Sequence, residues 1–121
     1  MKSKKYVIIS AIMGALGVAL GAFGAHGLKK LLSPELLETY KTGVFYHLLH
    51  VVVLLVISLN TKYNLRLPYY FILCGIIFFS FSLYIYTLFG IKFFAIITPF
   101  GGVSLILGWI TIGITVYNKN N

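Results

Sequence analysis

Hydrophobic and polar positions in this chain separate on the scale of whole segments. Four stretches, 6–25, 43–59, 68–89 and 93–117, contain no Asp, Glu, Lys or Arg. A hydrocarbon core about 30 Å thick takes about 20 helical residues, so each stretch reads as a membrane span. Many of their residues are β-branched or aromatic and would favour strands in water, but a helix in lipid satisfies its own backbone. The pattern predicts an all-α polytopic membrane protein. It has one domain over 1–121, with four transmembrane helices in a compact bundle.

The breaks between the apolar runs carry turn and cap chemistry. "NTKYNLRL", Asn60 to Leu67, is a short polar turn ending at Pro68, and proline suits a first helical turn because its missing N–H would be unpaired there. Thr98 and Pro99 repeat that logic. The fourth span therefore either starts at Pro99, with 90–97 as a connector, or is a longer helix interrupted at Pro99. Ser33-Pro34-Glu35 is a helix start with a cap, a first-turn proline and a carboxylate at the positive end of the dipole. Leu36, Leu37 and Tyr40 then share one side, and Glu38 and Lys41 pair on another. Residues 33–42 thus read as an amphipathic interfacial helix between the first two spans. Continuous with the second span, it would make a helix of about 40 Å, longer than the bilayer requires.

Small residues recur at helical spacing in two spans. Gly14, Gly17, Gly21 and Gly24 line the first, and Gly101, Ser104, Gly108, Thr111 and Thr115 the fourth. Such stripes let another backbone approach closely, and their pairing predicts the tightest contact between the first and fourth spans. The third span carries large rings instead, including Tyr69, Tyr70, Phe78, Phe79, Phe81, Tyr84 and Phe89. Its bulk predicts broad lipid contact, with Tyr69, Tyr70, Trp109 and Tyr117 as interfacial anchors.

Composition sharpens this picture. With 60% hydrophobic and 10% charged residues, the chain lies outside the range of soluble domains. The net charge of +8 comes from cations at the ends of apolar runs, without the continuous basic face that nucleic acid requires. Membrane lipids, through anionic headgroups, are the expected counter-charge, and no nucleic-acid partner is expected. With the amino terminus inside, Lys2, Lys4, Lys5, Lys62, Arg66 and Lys119 face the cytoplasm and Lys29, Lys30, Lys41 and Lys92 the outside. That bias predicts both termini in the cytoplasm. The amino-terminal lysines and first apolar run also imitate a cleavable signal peptide, but the glycine stripe favours a retained, packed helix. Cys74, alone inside an apolar run, reads as a packing residue.

Three histidines remain. His47 and His50 are three apart and share a helix face, while His26 ends the first span on the same side of the membrane. Antiparallel neighbours would bring the three rings to similar depth. An intramembrane ionisable group is a functional candidate because its desolvation must be offset. Three readings compete: hydrogen-bonded structural rings, a metal site, and a ligand or proton site opening outward. With only three histidines, no carboxylate nearby except Glu35 or Glu38 and no Cys at that depth, no metal or other cofactor is expected.

"GAFGAHGLK", "YHLLH" and "TPFGGVSLILGW" together resemble the small bacterial membrane proteins of the domain-of-unknown-function 423 family, relatives of the eukaryotic transmembrane protein 256. The resemblance runs through nearly the whole chain and rests on Gly21, Gly24, His26, His47, His50, Pro99, Gly101, Gly102, Gly108 and Trp109. It implies a four-span inner-membrane protein and no established activity. Family members often carry glutamine or asparagine near the start of the second span, where this chain has Phe45 and Tyr46.

No catalytic constellation accompanies these features: there is no phosphate-cradling glycine loop and no His-Glu-x-x-His motif. No carboxylate or lysine lies inside a span, as coupled transport usually requires. The expected function is that of a non-enzymatic membrane component or accessory subunit, as a homo-oligomer or with another membrane protein. The alternative is an oligomeric small-solute permease or channel with His26, His47 and His50 at its outer mouth.

Overall fold

The computed structural model describes residues 3–119. It contains α1 (Lys4–His26), α2 (Pro34–Leu59), α3 (Arg66–Gly75), a π-helical segment (Ile76–Phe81), α4 (Ser82–Phe89) and α5 (Lys92–Lys119). The three middle elements form one continuous rod, so four helices are long and apolar enough to cross a membrane.

Local chemistry sets the ends. The Ser33 hydroxyl accepts from the Leu36 N–H at 3.2 Å and Pro34 opens α2. The interfacial segment and the second span are thus one uninterrupted helix. Between α1 and α2, Leu28 is buried and packs with Tyr40 and Tyr84, closing that end of the bundle. Asn60 closes the next turn by donating to the Tyr63 carbonyl at 2.7 Å. Gly90 ends α4 at φ 69°, a left-handed conformation that costs glycine little, and its N–H returns to the Tyr86 carbonyl. The fourth span begins at Lys92, so Pro99 lies inside the helix. Its missing N–H frees a carbonyl one turn back, and the Thr98 hydroxyl beside it bridges to Ser82 at 2.7 Å.

Each helix packs on its neighbour in sequence, and α1 and α5 make no backbone approach. The expected contact between the first and fourth spans is therefore corrected. The glycines of α1 face α2, where added methyls would meet Val51, Leu48, Val44 and Tyr40 in turn; Gly101 and Gly108 of α5 instead face Phe78–Phe79 and Ile72. A small-residue stripe says that a backbone comes close without naming which one.

The aromatic third span is likewise corrected. It is the most buried of the four spans, and Tyr69 and Ile72 are fully enclosed. Tyr69 is no interfacial anchor, because its hydroxyl donates to the Tyr6 carbonyl at 2.8 Å and meets Ser10 Oγ at 3.1 Å. Its ring spans a gap that the α1 and α3 backbones leave between them.

Candidate functional site

The site begins with carbonyl oxygens on α1. A helical C=O already accepts from the N–H four residues on, but its second lone pair is free if the side chain at that position is small. Tyr6, Met13 and Leu20 are seven apart, and the residues four further on are Ser10, Gly17 and Gly24. Seven residues are nearly two turns, so the three carbonyls lie on one face at intervals of about 10 Å. Each takes a bond from a ring of another helix, Tyr69 to Tyr6 at 2.8 Å, His47 Nε2 to Met13 at 2.8 Å, and Tyr40 to Leu20 at 2.5 Å, and the Tyr6 carbonyl accepts from the Ser10 hydroxyl as well, at 2.7 Å. The close fit is visible at Gly17, where an added Cβ would lie 3.3 Å from the His47 ring, and at Gly24, where it would run into Tyr40. The same device recurs on α3. Ser104 donates to the Phe71 carbonyl at 2.7 Å, and the residue four after Phe71 is Gly75.

His47 is therefore one rung of a ladder whose other rungs are tyrosines. Its Nε2 faces a carbonyl and must carry the proton; its Nδ1, 2.8 Å from the Tyr84 hydroxyl, accepts. Gly43 makes room for that partner, since a Cβ there would lie 3.0 Å from Tyr84 and 3.3 Å from the Ser80 carbonyl. His50 is the mirror case. Its Nδ1 donates to the Tyr46 carbonyl one turn back at 2.8 Å, and its Nε2 accepts from Trp109 Nε1–H at 3.1 Å. The two neutral rings are thus fixed in opposite tautomers, assigned by their partners. Both are buried, and neither keeps a free nitrogen for a metal or a ligand.

His26 is elsewhere. It is exposed at the end of α1, nine residues and about 13 Å of helix rise beyond Gly17, which marks the depth of His47. The expectation that the three rings share one depth is corrected: α2 passes about three and a half turns before reaching His47. Glu35 and Glu38 lie on the exposed start of α2, and among the described residues no three His, Cys, Asp or Glu side chains converge. Trp109, expected as an anchor, is the partner of His50 and ties α2 to α5. Ser104 and Gly108 of the predicted packing face meet α3, while Gly14 and Gly21 meet α2 at Val51 and Val44. Sequence reading missed Tyr40, Tyr69 and Tyr84 as partners, although the heptad of small residues at 10, 17 and 24 was present to find.

Two grooves flank this layer. One of about 370 Å³ is lined by Tyr46, His50, Phe79, Leu105 and Trp109 among others. The second, about 300 Å³, runs between α1 and α2 over Gly21, Gly24 and Val44 to Lys41. Both are walled mainly by apolar side chains. With these hydrogen bonds closed internally, the layer holds the helices together.

A family model described as "Protein of unknown function (DUF423)" matches residues 20–102, a range that holds all three histidines, Tyr40, Tyr84 and Pro99. The chain belongs to the DUF423 family. It is 39% identical over 117 residues to a UPF0382 membrane protein of Staphylococcus aureus, covering 94% of this chain and 96% of that one. It is 39% identical to UPF0382 membrane protein YwdK of Bacillus subtilis, over 90% of this chain and 93% of the relative. With UPF0382 inner membrane protein YgdD of Escherichia coli the identity is 35%, over 90% and 86%. No solved structure shows significant similarity. The DUF423 chain described here is an integral, multi-pass membrane protein, as its four spans and its relatives agree.

Proposed function

We propose that this protein is a non-enzymatic component of the membrane, a compact helical scaffold acting through contacts with lipids and with another membrane protein or a second copy of itself. One observation carries the reading. Each intramembrane histidine spends both ring nitrogens on fixed partners within the chain, His47 on Met13 and Tyr84, His50 on Tyr46 and Trp109. A permease with a histidine-lined outer mouth needs those nitrogens exposed to solute, and here both rings are buried. Purified protein in liposomes tests the proposal. Co-purification of a defined partner with no flux of small neutral solutes or protons supports it; a saturable flux abolished by His47→Ala overturns it.

We propose further that both termini face the cytoplasm. Lys4, Lys5, Lys62, Arg66 and Lys119 gather at one end of the bundle, Lys29, Lys30, Lys41 and Lys92 at the other, where Glu35 and Glu38 offset two of the four. Lys2, counted with the first group in sequence, lies outside the described residues. A periplasm-active reporter fused after Asn121 that worked would reverse this orientation.

A further inference from the structure

The basic end of the bundle is organised around two tyrosines. Tyr6 is buried, and the Tyr70 hydroxyl, on the more exposed ring, donates to the Tyr6 hydroxyl over a long 3.4 Å. The rings meet edge to face with centroids 5.9 Å apart, and Tyr69 braces Tyr6 from within at 4.8 Å. Two cations converge on this base. Lys5 Nζ lies 5.1 Å from the centroid of the Tyr6 ring, and Arg66, opening α3, stands four residues before Tyr70 and so on the same helix face.

No acidic side chain answers them. The chain has two, Glu35 and Glu38, and both lie at the opposite end of the bundle, where Glu38 pairs with Lys41 at 3.7 Å. An ammonium, a guanidinium and a phenol held on a braced aromatic base match a phosphate oxygen cluster.

We propose that Lys5, Arg66 and the Tyr70 hydroxyl, turning its proton away from the long contact with Tyr6, bind the phosphate of an anionic phospholipid at the membrane surface. A zwitterionic headgroup would bring an ammonium for which this end has no carboxylate side chain. A lipid is favoured over free phosphate because exposed Ile8 and Leu67 adjoin the cations in sequence and give acyl chains a surface. The site is independent of whether the protein conducts a solute, so its failure leaves the proposed function standing.

The test uses the full chain in nanodiscs of phosphatidylcholine with increasing phosphatidylglycerol, reading the melting temperature and the phosphatidylglycerol retained in native mass spectra. Lys5→Gln with Arg66→Gln is compared with Lys29→Gln plus Lys30→Gln, which removes equal charge from the other end. Because each cation near an anionic surface contributes about a fivefold step, the first pair is expected to weaken phosphatidylglycerol retention roughly thirtyfold. The second pair is expected to leave retention near the parent. Equal losses from both pairs would reduce the effect to net charge and overturn the site, as would inorganic phosphate raising the melting temperature as much as the lipid does. Tyr70→Phe, which keeps the packing, is expected to lower retention by a smaller factor; no change in it would remove the hydroxyl from the site.

Discussion

Gly101 of α5 lies against Phe79 so closely that a methyl group at Gly101 would overlap the Phe79 amide nitrogen. That contact joins the π-helical segment to the helical turn after Pro99, and it is made by main chain, which cannot swing aside. Gly101→Ala is therefore expected to destabilise the bundle by about 3 kcal/mol, the upper range of overpacking costs. Gly21→Ala is expected to be milder, because its methyl would meet only a Val44 methyl at 3.1 Å. Melting curves of both variants in detergent check the order, and equal losses would contradict it.

Tyr84→Phe keeps the ring and removes the one donor to His47 Nδ1 among the described residues. A buried acceptor left unpaired costs about 1–3 kcal/mol, so this variant should melt lower although it adds no cavity. Tyr86→Phe, on the same helix and less buried, serves as the control.

Trp109 is the single tryptophan of the chain, so its fluorescence reports one hydrogen bond. In His50→Leu the indole N–H loses its acceptor, and the emission should shift to the blue while the helical circular dichroism stays unchanged. Unchanged emission would mean that the Trp109–His50 bond does not form in the membrane.

Ser80 Oγ is buried and has no hydrogen-bond partner among the described residues. Its neighbours are Gly43 and the π-helical backbone. Removing an unsatisfied buried hydroxyl removes a desolvation penalty of about 1–3 kcal/mol. Ser80→Ala is expected to raise the melting temperature; a clear fall would reveal a partner for the hydroxyl.

The spans were legible because charge exclusion over some twenty residues has one economical solution in lipid. Cap residues such as Ser33 and Pro34 placed the start of α2 for equally local reasons. Partnerships were not legible. Gly17 signals close approach in any four-helix arrangement, and only the fold decides that the visitor is His47 from α2. The rings of the third span mislead for a related reason: Tyr69 and Phe78 have similar hydrophobic bodies, yet one is enclosed and the other exposed. What separates them is a hydroxyl with a carbonyl to reach. Residues Ile76–Phe81 carry no proline or glycine to announce a π turn, and Pro99 was compatible with both a start and an interruption.

The opposite tautomers of His47 and His50 have an electrical consequence. Admitting a second proton to His50 would set its new N–H against that of Trp109, and doing so at His47 would force Tyr84 to turn its hydroxyl around. The interior is thus expected to behave as an insulator, so that many copies can occupy an energised membrane without discharging it.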